Sequence, residues 1–195
     1  MIRLERDSYG RTYQIWQQQQ ENSCGVACVW MARGIARQAS FAEEEWDLAV
    51  RMYLGAVAGT LGTLGVSPSG PMTFDSRAFP ANQNTMANTF ASFGLYATQV
   101  AMALRNERLS VTHTTLSGNP PKIASERIAY NKPAIVLVKW DGPGGHFVVV
   151  GRCTSHHVSF LDPWNGHVNQ QTNDGRYRAQ YGNEGTIVEI IYISA

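Results

Sequence analysis

Gln17-Gln18-Gln19-Gln20-Glu21-Asn22-Ser23-Cys24-Gly25-Val26-Ala27-Cys28-Val29-Trp30-Met31 turns from polar to apolar at Cys24. Asn22 and Ser23 are good N-cap residue types, and the small and apolar residues after them predict a helix over about 23–37. Cys24, Ala27, Cys28 and Met31 then fall at i, i+3, i+4 and i+7, one apolar face. Cys24 would stand in the first turn, where unpaired backbone N–H groups and the helix dipole favour a thiolate. A nucleophile needs that environment and a structural cysteine does not.

Upstream, Tyr9-Gly10-Arg11-Thr12-Tyr13-Gln14-Ile15-Trp16 reads as a turn and then an extended segment, an edge strand delivering the chain to a cleft. Downstream, Ser40-Phe41-Ala42-Glu43 has the capping-box pattern of a second helix, with Glu44 and Glu45 near its positive end and Gly55 closing it. Residues 55–83 are rich in glycine, proline and small side chains and read as a long loop over a cleft. No Gly-Lys-Ser/Thr follows those glycines, so they form no phosphate-binding motif. A third helix is expected over about 83–93, a short strand at Tyr96–Val100, and a short helix around 122–130 that begins at Pro121.

After Pro133 the period changes. Residues 134–140, 146–152, 157–162 and 186–193 read as strands separated by glycine- and proline-rich turns. Helices first and strands later make an α+β layout with an antiparallel sheet. The expected organisation is one catalytic domain over 1–195, with a helical lobe at about 17–130 and a sheet lobe at about 133–194.

A chain of 195 residues can bury roughly 70% of its unfolded surface, enough for one sizeable core. Lysine and arginine number 16 against 15 acidic residues, which gives no electrostatic case for nucleic acid or an anionic membrane. No apolar run approaches the roughly 20 residues of a membrane span. The first residues lack the apolar stretch of a secretory signal, so the expected location is the cytoplasm or a target reached by a specialised secretion route. Three cysteines cannot all pair internally, and a free catalytic thiol fits better than a disulfide scaffold. A zinc site from Cys24, Cys28, Cys153 and His156 is a weaker alternative, because Cys28 falls inside an apolar helix. No cofactor or metal is expected.

A thiol that attacks a carbonyl needs an imidazole in reach and a group that fixes the ring's tautomer. His146 opens a strand just after Gly142, Gly144 and Gly145, where small residues leave room for a substrate. Asp162 ends the next strand. If the strands at 146–152 and 157–162 pair as a hairpin through 153–156, His146 and Asp162 come side by side at its open end.

Gln18-x5-Cys24-Gly25-Val26-Ala27, Gly145-His146-Phe147-Val148-Val149-Val150 and Leu161-Asp162-Pro163-Trp164-Asn165-Gly166 together resemble the papain-like cysteine peptidases. The nearest group is the double-glycine leader peptidases of bacteriocin exporters and their free-standing relatives. The resemblance implies a papain-like fold, with Cys24 as nucleophile, His146 as general base and then acid, and Asp162 as the orienter of His146. It also implies that the Gln18 side chain donates to the oxyanion beside the Cys24 backbone N–H. Trp164 is a candidate cleft wall, with a shielding tryptophan over the His–Asp pair as the competing role.

These residues lead to an expectation of peptide-bond hydrolysis through a thioester, on a protein or peptide substrate. A bacterial toxin delivered into another cell, with a cognate inhibitor or immunity protein as partner, is one setting for it. An amidase, deamidase or acyltransferase could use the same three residues. A catalytically silent binding module is the non-enzymatic alternative.

Overall fold

In the computed structural model, residues 1–45, 47–52, 95–117 and 121–195 are described. The expected loop at 55–83 and the expected helix at 83–93 lie outside them. The first helix, α1, spans Cys24–Arg37, as the polar-to-apolar step predicts. Ser23 is its N-cap residue but makes no side-chain cap bond. Its hydroxyl instead donates to the Gln20 carbonyl at 3.0 Å and accepts the Gln20 N–H at 3.2 Å, cinching the preceding turn. Gln38 ends the helix in the left-handed region at φ 52°.

The N-terminal segment forms an antiparallel hairpin of β1 (Ile2–Arg6) and β2 (Thr12–Trp16). Tyr13, Ile15 and Trp16 of β2 are buried, and β2 packs on α1. The helix expected from Ser40 begins later: residue 45 and residues 47–52 are helical, while 40–44 are not. Ser40 does not cap; its hydroxyl donates to the Gln14 side chain at 2.8 Å. Glu43 is drawn instead into an ion-pair cluster with Arg33 and Arg51, to which Glu107 also belongs.

Residues 97–106 form a second helix, α2 (Ala97–Asn106), where the sequence suggested a strand at Tyr96–Val100. The helical pattern is present in a longer window. Ala97, Val100, Ala101 and Leu104 recur at i, i+3, i+4 and i+7, and all are buried. The Tyr96 N–H donates to Gln99 Oε1 at 2.9 Å, which starts the helix.

The helix expected at 122–130 is also absent; only a single 3-10 turn forms, at Ser125–Arg127. Asn173 explains this. Its side chain accepts the Ile123 N–H at 3.0 Å and donates to the Ile123 carbonyl at 3.0 Å, so both backbone groups are taken from any helix.

The remaining strands are β3 (Ser110–Thr115), β4 (Ala134–Trp140), β5 (Gly145–Cys153), β6 (His157–Asp162), β7 (His167–Thr172), β8 (Arg176–Arg178) and β9 (Glu184–Ser194). Their order is β3-β9-β4-β5-β6-β7, with β8 also on β9, and every pairing is antiparallel. The β4, β5, β6 and β9 strands are those the sequence predicts; β3, β7 and β8 were not foreseen. The sheet curls until β7 meets β8 through side chains rather than a backbone ladder. Gln171 exchanges two bonds with the Arg178 backbone, at 2.7 and 2.8 Å, and Asn169 donates to the same carbonyl at 2.9 Å.

Alternation along the strands gives two cores. Val136, Val138, Val148, Val150, Phe160, Tyr177 and Ile187 lie in one, inside the curl, with Ile123 and Ile128 beside them. Ile135, Phe147, Val149 and Leu161 lie on the opposite face against Val26, Ala27 and Trp30 of α1 and the apolar side of α2. The start of α1 is thereby set against the end of the sheet where β5 begins and β6 stops.

Candidate active site

Strands β5 and β6 pair through Val149–Leu161 and Val150–Phe160, and the chain reverses at 154–156. His146, at the start of β5, and Asp162, the last residue of β6, meet at the open end: His146 Nε2 lies 2.7 Å from Asp162 Oδ1. Both are buried, with 4% and 1% of their surface exposed. A carboxylate only accepts, so Nε2 carries the proton and Nδ1 is left as the acceptor. The Cys24 thiol lies close enough to His146 for the imidazole to act on its proton affinity.

These contacts decide the protonation states. Burial alone would raise the Cys24 thiol, but His146 outweighs it and holds the thiol below its ordinary value. Burial alone would lower His146; Asp162 and Cys24 push it up to about 9. Burial would raise Asp162, and His146 and Tyr177 hold it below the usual carboxylate range. The three shifts agree on a thiolate–imidazolium–carboxylate arrangement. Cys28, fully buried one turn along, goes the other way: burial and the neighbouring Cys24 push it well up.

Asp162 sits in a tight turn. The Trp164 N–H donates to its Oδ1 at 2.8 Å, and the Gly166 N–H donates to its carbonyl at 2.9 Å. Gly166 takes φ +73°, where Arg3 and Gln17 also crowd the place a Cβ would fill. Trp164 is 44% exposed, and its ring centroid is 5.5 Å from that of His146. Trp140 flanks the imidazole as well, stacked at 5.7 Å with 15° between the planes. Two tryptophans beside one imidazole favour its cationic form.

Gln18 is held differently from the role its spacing implies. Its amide nitrogen donates to the carbonyls of Gln20 and Glu21, both at 2.8 Å, and its Oε1 is buried without a partner. Its backbone N–H donates to the Pro163 carbonyl at 2.8 Å. The whole segment is latched by Glu45, 3% exposed, whose carboxylate accepts the Gln19 N–H at 2.9 Å.

A cleft of about 490 Å³ opens at Cys24, walled by Leu95, Leu137, Phe147 and Val188 and edged by Gly144 and Gly145. Leu95 reaches this position because residue 25 is glycine; a Cβ there would lie 2.9 Å from its Cδ1.

Trp140, Tyr177, Glu45 and Leu95 were not singled out from the sequence. The alternation Arg176-Tyr177-Arg178 was a strand signal, and Trp140 continues the face of Val138, which pairs with His146. His167 lies away from the cleft, 3.1 Å from Glu5. His113 pairs with Glu189 at 2.6 Å and is partly buried. Cys153 is buried in the inner core beside Asn173. Among the described residues no group of three or more histidine, cysteine or acidic side chains converges as a metal site. Among them also, no helix is long and apolar enough to cross a membrane.

N-terminal helices on a large C-terminal antiparallel sheet make this an α+β fold. No family model and no curated protein matches the chain. Among solved structures it is remotely similar to the Pseudomonas avirulence protein AvrPphB, with 12% identity and a TM-score of 0.41 over 89% of this chain and 92% of that one.

Proposed function

We propose that the protein is a cysteine peptidase, with Cys24 as nucleophile, His146 as base and then acid, and Asp162 as orienter. The observation that carries this reading is the 2.7 Å bond from His146 Nε2 to Asp162, which leaves Nδ1 for the Cys24 thiol. The Cys24 thiolate attacks the peptide carbonyl carbon, and the developing oxyanion is met by the Cys24 backbone N–H and, after release from a carbonyl, the Gln18 amide. The C–N bond breaks as His146 gives its proton to the departing amine, leaving a thioester. Water then attacks the thioester, His146 takes its proton, and Cys24 leaves as thiolate beside a re-formed imidazolium. The open cleft at Cys24 suits an extended chain with an apolar side chain near the scissile bond. The whole chain acts as one catalytic domain in this reading.

The test compares wild type with Cys24→Ala on a protein and peptide library, reading new N-termini by mass spectrometry. New termini made by the wild type alone support a peptidase and report its specificity. A hyper-reactive Cys24 with no new termini shifts the reading to an amidase or acyl-transfer enzyme with the same residues. A toxin acting in another cell, checked by a cognate inhibitor, extends this reading. Its test is whether a protein encoded beside this gene blocks alkylation of Cys24.

A further inference from the structure

We propose that Tyr177 is a positioning residue of this site, its hydroxyl holding Oδ2 of Asp162 so that Oδ1 stays aimed at His146. The inference rests on the peptidase reading and adds a residue to it. A carboxylate rotates about a broad, roughly two-fold torsion, so one hydrogen bond to an imidazole does not fix it. Here the oxygens divide their donors. Oδ1 accepts from His146 Nε2 at 2.7 Å and the Trp164 N–H at 2.8 Å, while Oδ2 accepts the Tyr177 hydroxyl at 2.6 Å. The three donors approach from β5, from the turn after β6, and from β8.

Tyr177 is itself immobilised. It is fully buried, edge-on to Phe160 with ring centroids 5.1 Å apart, and its ring lies 6.2 Å from Trp140 and 6.4 Å from His146. The strand that carries it has its neighbours pinned on both sides. Arg176 pairs with Asp141 and Glu184, and Arg178 is bonded by Gln171 and Asn169. The short β8 strand, which closes the sheet, thus ends in a contact with the candidate acid. Burial and the adjacent carboxylate push the Tyr177 hydroxyl far up, so it remains a donor throughout the working range.

The experiment reads the His146 Nε2–H proton by NMR and the rate of Cys24 alkylation by iodoacetamide at pH 6, in wild type and Tyr177→Phe. In wild type a far-downfield imidazole proton and rapid labelling are expected. In Tyr177→Phe the proton should broaden away as His146 loses its fixed acceptor. The labelling rate should fall on the order of tenfold, the equivalent of about one pKa unit of thiolate. A folded Tyr177→Phe with the downfield proton and the labelling rate of wild type overturns the proposal. Should Tyr177→Phe not fold, 3-fluorotyrosine at position 177 serves in its place. Its more acidic hydroxyl draws charge from Asp162 and should move the His146 proton upfield, and an unmoved resonance overturns the proposal. A wild type with no downfield proton and a Cys24 no faster than free cysteine overturns the peptidase reading itself, a result separate from either.

Discussion

The Gln18 N–H donates to the carbonyl of Pro163 at 2.8 Å, which joins the loop before the candidate nucleophile Cys24 to the turn after the candidate acid Asp162. Cys24 and Asp162 are far apart in sequence, yet the segments that place them share this bond. Gly166 is part of the same junction, since the space for its Cβ is filled by Arg3 and Gln17. Displacement of one segment is therefore expected to disturb the other.

Gln18→Ala separates chemistry from scaffolding. The backbone bond to Pro163 survives the substitution, whereas the amide is lost. If the amide serves the oxyanion, kcat/KM should fall on the order of 100-fold, about 3 kcal/mol. Alkylation of Cys24 involves no oxyanion and should be unchanged. A parallel drop in both rates would instead assign the amide to holding the Gln20 and Glu21 carbonyls.

Asp162→Ala and Asp162→Asn should differ. Alanine removes the acceptor that fixes the His146 tautomer, and turnover should fall on the order of 100- to 1,000-fold. Asparagine can keep an oxygen toward His146 and the Trp164 N–H while its NH₂ faces the Tyr177 oxygen, so it should fall less. Equal losses in the two variants, measured by kcat at matched folding, would show that the carboxylate charge matters and its geometry does not.

The three candidate positions could be picked out because each sits at a boundary that short-range chemistry marks. Asn22-Ser23 precedes Cys24, glycines precede His146, and proline follows Asp162. The hairpin that joins the last two follows from period-2 alternation and a polar turn, and the structure has both strands. What sequence alone missed depends on distant partners. Tyr177 matters because β8 lands beside Asp162, and Glu45 because its side chain turns inward to Gln19 instead of serving its own helix end. The strand expected at Tyr96–Val100 failed because the window was too short to contain Ala101 and Leu104. The helix expected near 122–130 failed because Asn173, 50 residues on, takes the backbone bonds of Ile123.

Glu45→Ala tests the latch on the glutamine-rich segment. The Gln19 N–H then loses its acceptor in a part-buried setting, where leaving it unpaired costs on the order of 1 kcal/mol. A lower urea midpoint with an unchanged slope is expected, together with slower turnover as the loop beside Cys24 loosens. Glu45→Gln keeps an acceptor oxygen and should recover most of the stability. If both variants match wild type in midpoint and rate, the latch contributes nothing.

The pH dependence of turnover and of alkylation should part company on the alkaline side. The lower limb of both follows the loss of the Cys24 proton and should lie below the range of an ordinary thiol, because His146 stabilises the thiolate. Alkylation needs only that thiolate and should stay high as pH rises further. Turnover also needs the His146 proton for the departing amine, so it should decline as pH passes through about 9. His146 rises from 6.5 in the unfolded chain to about 9 in the fold, so its stabilising contribution is complete below about pH 6.5 and fades as pH climbs through 9. The lowered Cys24 thiol works the other way over that interval, because an unfolded thiol is still protonated there, so the pair as a whole should leave melting temperature nearly flat between about 6.5 and 9. In Asp162→Ala, which removes one of the contacts that raise His146, the alkaline limb of the residual turnover should move down toward 6.5. An alkaline limb that stays near 9 in that variant would mean that Asp162 does not set the His146 proton affinity.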